Sequence, residues 1–222
     1  MKQYLILLVA LLMFSPLSSY AEKSWYGGVG AGFMVVHGIN PSPTEKEIVN
    51  TAGVVSNSSI ENKSTYKSFA IGHCFEDSHF CAEGAYLWGG EFNTETTVNN
   101  YNPETLNLLG TQVNFTNQPV NLTVRREAIV SATQASLIGK LPVNEFLGVF
   151  GRVGIYNYRI HTTIKILLPQ NLYLAEESED VGTIPMVSIG ADIKPTKRLS
   201  LRFEGQKTGR VTIGSVSIIW QF

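Results

Sequence analysis

Read in steps of two, eight stretches of this chain alternate between large apolar residues and small or polar ones. In "SWYGGVGAGFMVV", Trp25, Val29, Ala31, Phe33 and Val35 share one face, and Gly28, Gly30 and Gly32 the other. "STYKSFAIGHCF" sets Phe69, Ile71 and Phe75 against Ser68, Ala70, Gly72 and Cys74. "FCAEGAYLWGGEF" collects Phe80, Ala82, Tyr86 and Trp88 opposite Glu83, and "AIVSATQASLIGKL" sets Leu137 and Leu141 against Gln134 and Lys140. In "FLGVFGRVGIYNY" the apolar face is Leu147, Val149, Val153 and Ile155; Phe150, Arg152 and Tyr156 lie opposite. "IPMVSIGADI" sets Val187, Ile189 and Ile193 against Asp192, and "LSLRFEGQ" sets Leu199, Leu201 and Phe203 against Arg202 and Glu204. The closing "VTIGSVSIIWQF" carries Thr212, Gly214, Val216, Ile218, Trp220 and Phe222 on one face, with Ser215, Ser217 and Gln221 on the other. A period of two is the signature of strands, so eight strands and no helical segment are expected.

The connections alternate in length. "EDSH" (76–79), "PVNE" (142–145) and "KPTK" (194–197) are tight, whereas about 37–63, 93–125 and 160–183 read as long polar loops. "KTGR" (207–210) is the short exception. An even number of strands, with short turns at one end and longer loops at the other, describes an eight-stranded antiparallel transmembrane β-barrel, an all-β fold. Runs of about 9–13 residues suit a tilted spanning strand. A soluble sandwich or lipocalin-like barrel also alternates, but its bulky apolar residues point inward. Here the large apolar residues occupy one face, and Gly, Ser, Ala and charges the other. Aromatic residues recur near strand ends, as girdles at two water interfaces require.

The N-terminus agrees with export. "MKQYLILLVALLMFSPLSSYA" has one cation, Lys2, an apolar run ended by Pro16, and small residues Ser19 and Ala21 before a cleavage point. That is a secretory signal peptide over 1–21, too short for a transmembrane anchor, leaving one barrel domain over 22–222. Glu22 stands where a lipoprotein would need Cys. The formal charge is −1 and no basic block is present, so no nucleic-acid partner is expected.

If the apolar faces meet lipid, the others fill a narrow lumen. Into it point Glu83, Lys140, Arg152, Asp192, Arg202 and Glu204, three anions and three cations. Isolated ions there cost several kcal/mol each, so a balanced, connected network is expected. Lys140, close to a short turn, could instead sit at the rim.

Cys74 and Cys81 flank the "EDSH" turn on the lumenal face. With a two-residue tip at Asp77-Ser78 they face each other as a hydrogen-bonded pair, whose Cα atoms stand ~5.5 Å apart. In the oxidising periplasm a cross-strand disulfide follows. His79 shares their face, but a fourth ligand is missing, and neither a metal nor a cofactor is expected. In "RIHTT", His161 and Thr163 share a face, but Thr is a poor nucleophile and no orienting acid is evident. No enzyme is expected.

These residues reach a family. "WYGGVGAGF", "CAEGAY", "SLIGKLPVNEFLGVFGRVGIY", "IGADI" and "LSLRFEGQ" resemble, in order, the transmembrane domain of OmpA-type outer-membrane proteins. The resemblance covers essentially all of 22–222. It matches Glu83, Lys140, Arg152, Asp192, Arg202 and Glu204 to that family's lumenal charges. It implies an eight-stranded barrel whose lumenal salt-bridge network blocks or gates any water path, and a monomer in the bacterial outer membrane is expected. Its surroundings would be outer-membrane lipid and lipopolysaccharide.

The stripe Gly214, Val216, Ile218, Trp220 and Phe222 resembles the C-terminal signal read by the outer-membrane assembly machinery. The chain stops at the barrel, so the peptidoglycan-binding domain of many relatives, and with it cell-wall tethering, is not expected. The expected role is structural or surface-interaction. The alternatives are a narrow gated pore for ions or small solutes and, less favoured, a lipid A-modifying enzyme.

Overall fold

The computed structural model describes residues 24–37, 55–60, 62–75, 78–101, 105–108, 111–114, 120–167 and 173–222. The predicted signal segment, and most of the loop read at 37–63, lie outside them. The described chain is strand joined by turns: β1 (Ser24–Val36), β2 (Val55–Ile60), β3 (Lys63–Cys74), β4 (Phe80–Tyr101), β5 (Thr105–Leu108), β6 (Thr111–Asn114), β7 (Val120–Pro142), β8 (Leu147–Leu167), β9 (Tyr173–Ile193), β10 (Leu199–Thr208) and β11 (Val211–Gln221).

Eight of these close a ring. β4, β3, β1, β11, β10, β9, β8 and β7 pair in that order, and β7 returns to β4. Every pairing in the ring is antiparallel. Closure leaves no edge within the bilayer, where an unpaired backbone group would cost several kcal/mol. The seam joins the two ends of the barrel: Tyr26 faces Gln221, and the Phe222 amide donates to the Trp25 carbonyl at 2.9 Å. β2 pairs with the outer part of β4, and β5–β6 form a separate hairpin.

The alternation places the faces as the sequence suggested. Trp25, Val29, Phe33, Phe69, Ile71, Tyr86, Trp88, Leu137, Val153, Ile155, Ile189, Phe203, Ile218 and Trp220 are exposed on the outside, an apolar band for lipid. Inside, two apolar layers stack along the barrel axis. One, toward the short turns, holds Tyr26, Cys74, Cys81, Ile138, Phe150 and Ile219. The other holds Met34, Tyr66, Leu87, Phe92, Val130, Ala132, Tyr156, Met186 and Ile213.

The strands are not of uniform length. β1, β3, β10 and β11 run 10–13 residues, as expected. β4, β7, β8 and β9 run 21–23 residues, so much of what the sequence suggested as loops at 93–125 and 160–183 is strand. The polarity of the faces inverts in these extensions. Leu122, Val124, Ile164 and Ile166 turn inward and are buried, while Arg125, Glu127, Arg159 and Lys165 turn outward. An outward stripe that is charged instead of apolar is the mark of water on that side. In β4 the change falls at a bulge between Trp88 and Gly90, where Gly89 takes φ +99°, a conformation that favours glycine. At the opposite, short side, the β10–β11 turn uses Gly209 at φ +52°.

Candidate functional site: the barrel lumen

Between the two apolar layers lies a belt of charges contributed by four strands. Alternation sends Glu83 of β4, Arg152 of β8, Ser188 and Asp192 of β9, and Arg202 and Glu204 of β10 to the same interior. Glu83 is its centre. One carboxylate oxygen accepts from the Arg152 guanidinium at 2.7 Å; the other accepts from Arg202 at 2.8 Å and from the Tyr26 hydroxyl at 2.8 Å. Arg202 also reaches Asp192 with two donors, at 2.9 and 3.2 Å, a fork-to-carboxylate geometry. Arg152 bridges on to Glu204 at 3.2 Å, and the Ser188 hydroxyl donates to Glu204 as well.

These five ionic side chains are 2–7 % exposed. At that burial neither Arg–Glu attraction nor desolvation is small, and the geometry must satisfy nearly every donor. The aromatic layer below helps: the Arg202 guanidinium lies 4.8 Å from the Phe150 ring centroid and 5.8 Å from that of Tyr26. Above the ions, the Gln134 amide donates to the Gln206 amide oxygen at 2.8 Å. A cavity of about 30 Å³ is lined by Glu83, Gln134, Arg152, Arg202, Glu204 and Gln206, among others. The buried Arg152 Nε and Gln206 Nε2 have no protein partner, and this void has room for the water that each would need.

Lys140, read from sequence as a possible member of the network or a rim residue, makes no ion pair among the described residues. Its ammonium stands 4.9 Å over the Tyr26 ring and 3.6 Å from Cys74 Sγ, on the turn side of the belt. No charge or motif pointed to the parts played by Tyr26, Ser188 and Gln206. Each sits at an inward register position, and that is the signal which could have named them.

Cys74 and Cys81 are directly opposite and joined by a disulfide. Their backbone setting differs from the expectation. The Phe75 amide donates to the Phe80 carbonyl at 3.0 Å, so the closing hydrogen-bonded pair is Phe75–Phe80, and Cys74–Cys81 is a non-hydrogen-bonded pair. Its Cα atoms are accordingly close, at 3.9 Å instead of ~5.5 Å. The reason is the turn, where the Ser78 amide and hydroxyl both donate to the Phe75 carbonyl inside the Phe75–Phe80 pair.

His161 and Thr163 lie on the outward face of β8, beyond the apolar band. The sequence showed no acid for His161, but pairing with β9 places Glu177 there, 3.9 Å from Nε2. Both groups are at least half exposed, and that distance exceeds a hydrogen bond. Among the described residues, nothing orients the imidazole toward Thr163. At the closing strand, Val216, Ile218, Trp220 and Phe222 point outward and are exposed. Gly214 faces Phe33 across the seam, under its ring.

The lumenal charges, the ring of eight strands and the inverted outer faces together describe an outer-membrane barrel, and the family comparison decides which kind. The profile of the OmpA-like transmembrane domain matches residues 20–217. The chain belongs to the OmpA-like transmembrane domain family. It is therefore a barrel of the bacterial outer membrane, and the short turns face the periplasm. The OmpA-like family is one of membrane barrels, not of enzymes. A search of curated proteins found no match.

Among solved structures, the chain is similar to Ail, the attachment invasion locus protein of Yersinia pestis, with 10 % identity and a TM-score of 0.46 over 90 % of this chain and 99 % of that one. It is also similar to Neisserial surface protein A, with 11 % identity and a TM-score of 0.43 over 90 % and 100 %. The KdgM porin aligns with 13 % identity and a TM-score of 0.28 over 88 % and 99 %.

Proposed function

We propose that this protein is a closed, non-catalytic barrel with a structural or surface-interaction role, its lumen sealed by the charged network instead of opened by it. The observation that carries the reading is the position of Glu83, held by Arg152 and Arg202 at 2.7 and 2.8 Å between two apolar layers. An ion crossing the lumen would have to part buried pairs on each side of that carboxylate. The void beside it, about 30 Å³, has room for bound water.

In this reading residues 1–21 are a cleaved signal peptide, and 22–222 a monomeric barrel in outer-membrane lipid and lipopolysaccharide. The stripe ending at Phe222 is what the assembly machinery reads. The functional surface is the set of outward extensions of β4, β7, β8 and β9, since they stand beyond the lipid band.

Conductance across a planar bilayer tests the sealed lumen. No steady channels are expected from the folded protein. Steady openings that change when Arg152 or Glu83 is replaced would establish the gated pore instead. Thin-layer analysis of lipid A from cells making the protein should show unaltered acylation. Altered acylation that disappears with His161→Ala would establish an enzyme.

A further inference from the structure

β9 has a neighbour on both sides for only part of its length. β10 pairs with it from Ile193 up to Met186 and ends there, whereas β8 accompanies it as far as Tyr173. Past Met186, β9 is the edge of the tall sheet among the described residues. The Pro185 carbonyl accepts the Thr208 hydroxyl at 3.2 Å, so it points to the β10 side. By alternation Thr183, Val181, Glu179, Glu177 and Ala175 aim their amides and carbonyls the same way, off the end of the sheet. Pro185, with no amide to offer, stands at the first position past the β10 ladder. Residues 175–181 are exposed on both faces of the strand.

Such an edge is a template for another strand, and its side chains say which one. Glu177 and Glu179 lie on the outward face, Glu176 and Asp180 on the opposite one. Arg159 takes Glu179 at 2.8 Å, and His161 lies 3.9 Å from Glu177, both from the β8 side. Glu176 and Asp180 have no ion pair among the described residues. Lys207 faces Val187, and Arg210 follows Gly209, which adjoins Ile184, so both stand lower on the barrel. Between the outer strand ends, the segments outside the described residues carry Lys46 against Glu45, Glu47, Glu61 and Glu104. They add net acid to this end, not the base that would neutralise the edge.

We propose that residues 175–183 are a docking edge for an extended basic segment of a partner protein, which joins the sheet as a further strand. The proposal rests on the surface-interaction role given above and names the chemistry of the partner. Ladder bonds to β9 hold the partner's backbone. Its lysine or arginine side chains meet Glu177 and Glu179 on the outward face and Glu176 and Asp180 on the other. The same charges select against a second copy of this chain, because two β9 edges side by side would set acid against acid.

The test uses the mature chain folded in detergent, with folding checked by its gel shift. The probes are a short fluorescent peptide of lysine and threonine, a copy with glutamate for lysine, and a copy of the first N-methylated at alternate amides. Anisotropy measures binding, and hydrogen exchange reads the β9 amides. The lysine peptide should bind and protect the amides of Glu177, Glu179, Val181 and Thr183, and the glutamate copy should not bind. The methylated copy keeps its charge but loses ladder donors, and should bind about tenfold or more less tightly. E177Q/E179Q and E176Q/D180N should each weaken binding about fivefold or more at low salt. Val181→Pro removes a free-edge amide without touching the β8 ladder and should also weaken it. E145Q, in a periplasmic turn, should not.

Equal binding of the methylated copy would reduce the attraction to charge alone and overturn the added strand. Equal binding of the lysine and glutamate copies, or no binding at all, overturns it as well. So does a peptide-free two-barrel species that is lost in Val181→Pro, which would give the edge to a second copy. If Val181→Pro fails to fold, the methylated copy on the unaltered protein still decides. Val181→Cys on intact cells should react with an impermeant maleimide. Labelling without peptide binding overturns this proposal alone, whereas no labelling overturns the surface role with it.

Discussion

The ring of Tyr26 covers Gly72, its partner directly across the β1–β3 ladder, so closely that a Cβ at Gly72 would fall among the ring atoms. Among the described residues this is one of five such pairs. Tyr66 covers Gly32, Phe150 covers Gly190, Tyr158 covers Gly182 and Phe33 covers Gly214, each ring on the glycine facing it. In the four inward pairs a flat ring laid on a bare backbone fills a lumen too narrow for two side chains, and Phe33 lies on Gly214 in the same way on the lipid face. For Tyr26 the same placement aims the hydroxyl at Glu83.

Gly72→Ala should therefore displace the Tyr26 ring and lose its hydrogen bond to Glu83. A destabilisation of about 1–3 kcal/mol is expected, as for other overpacked interiors. Gly151→Ala, where a Cβ would meet nothing within 4 Å, should change stability by less than about 0.5 kcal/mol. Urea titration of the folded-to-unfolded gel shift measures both. Equal effects would show that the ring–glycine contacts do not matter.

Glu83→Gln removes one member of a buried ionic group and leaves Arg152 and Arg202 without their shared anion. The expected loss is about 3–5 kcal/mol. Glu95→Gln breaks an exposed pair with Arg125 and should cost less than about 1 kcal/mol. In the double variant E83Q/R152M the loss should be smaller than the sum of the single losses, because the second change removes the stranded charge. Unfolding midpoints in lipid vesicles give all of these values.

The Cys74–Cys81 disulfide closes a short loop, with a sequence separation of 7. Chain entropy then predicts about 2–3 kcal/mol of stabilisation, less than a long loop would give. The double variant C74S/C81S should still fold to a heat-modifiable barrel with a lower urea midpoint. Alkylation of the denatured protein should label no cysteine before reduction and both after it. Labelling before reduction would mean that the pair is not oxidised.

Phe222 donates one backbone hydrogen bond to Trp25 and exposes its ring to lipid. Its deletion should remove little folding energy yet lower the yield of assembled protein in cells severalfold. Comparing the amount of folded barrel with its urea midpoint separates the two effects. Undiminished yield would refute a role for this residue in assembly.

The sequence by itself determined the strands, their two faces and the class of fold. A period of two assigns each side chain to a side with no further information, so Glu83, Arg152, Asp192, Arg202 and Glu204 could be sent to the lumen before any contact was known. It failed where the solvent changes along a strand. Above Trp88 and Ile129 the outward face meets water, the lipid stripe ends, and polar residues on strand read as loop. Leu122 and Val124, alternating with Thr123 and Arg125, were the remaining trace.

Only the tertiary structure decided which ion meets which. Arg202 takes both Glu83 and Asp192, Arg152 takes Glu83 and Glu204, and Lys140 takes an aromatic face, because partners from different strands are set by register and closure. Only it placed Glu177 beside His161, and made Cys74–Cys81 a close, non-hydrogen-bonded pair. Periodicity says which way a residue points. What it meets there depends on the neighbouring strands, and the sequence pattern of one strand carries no record of them.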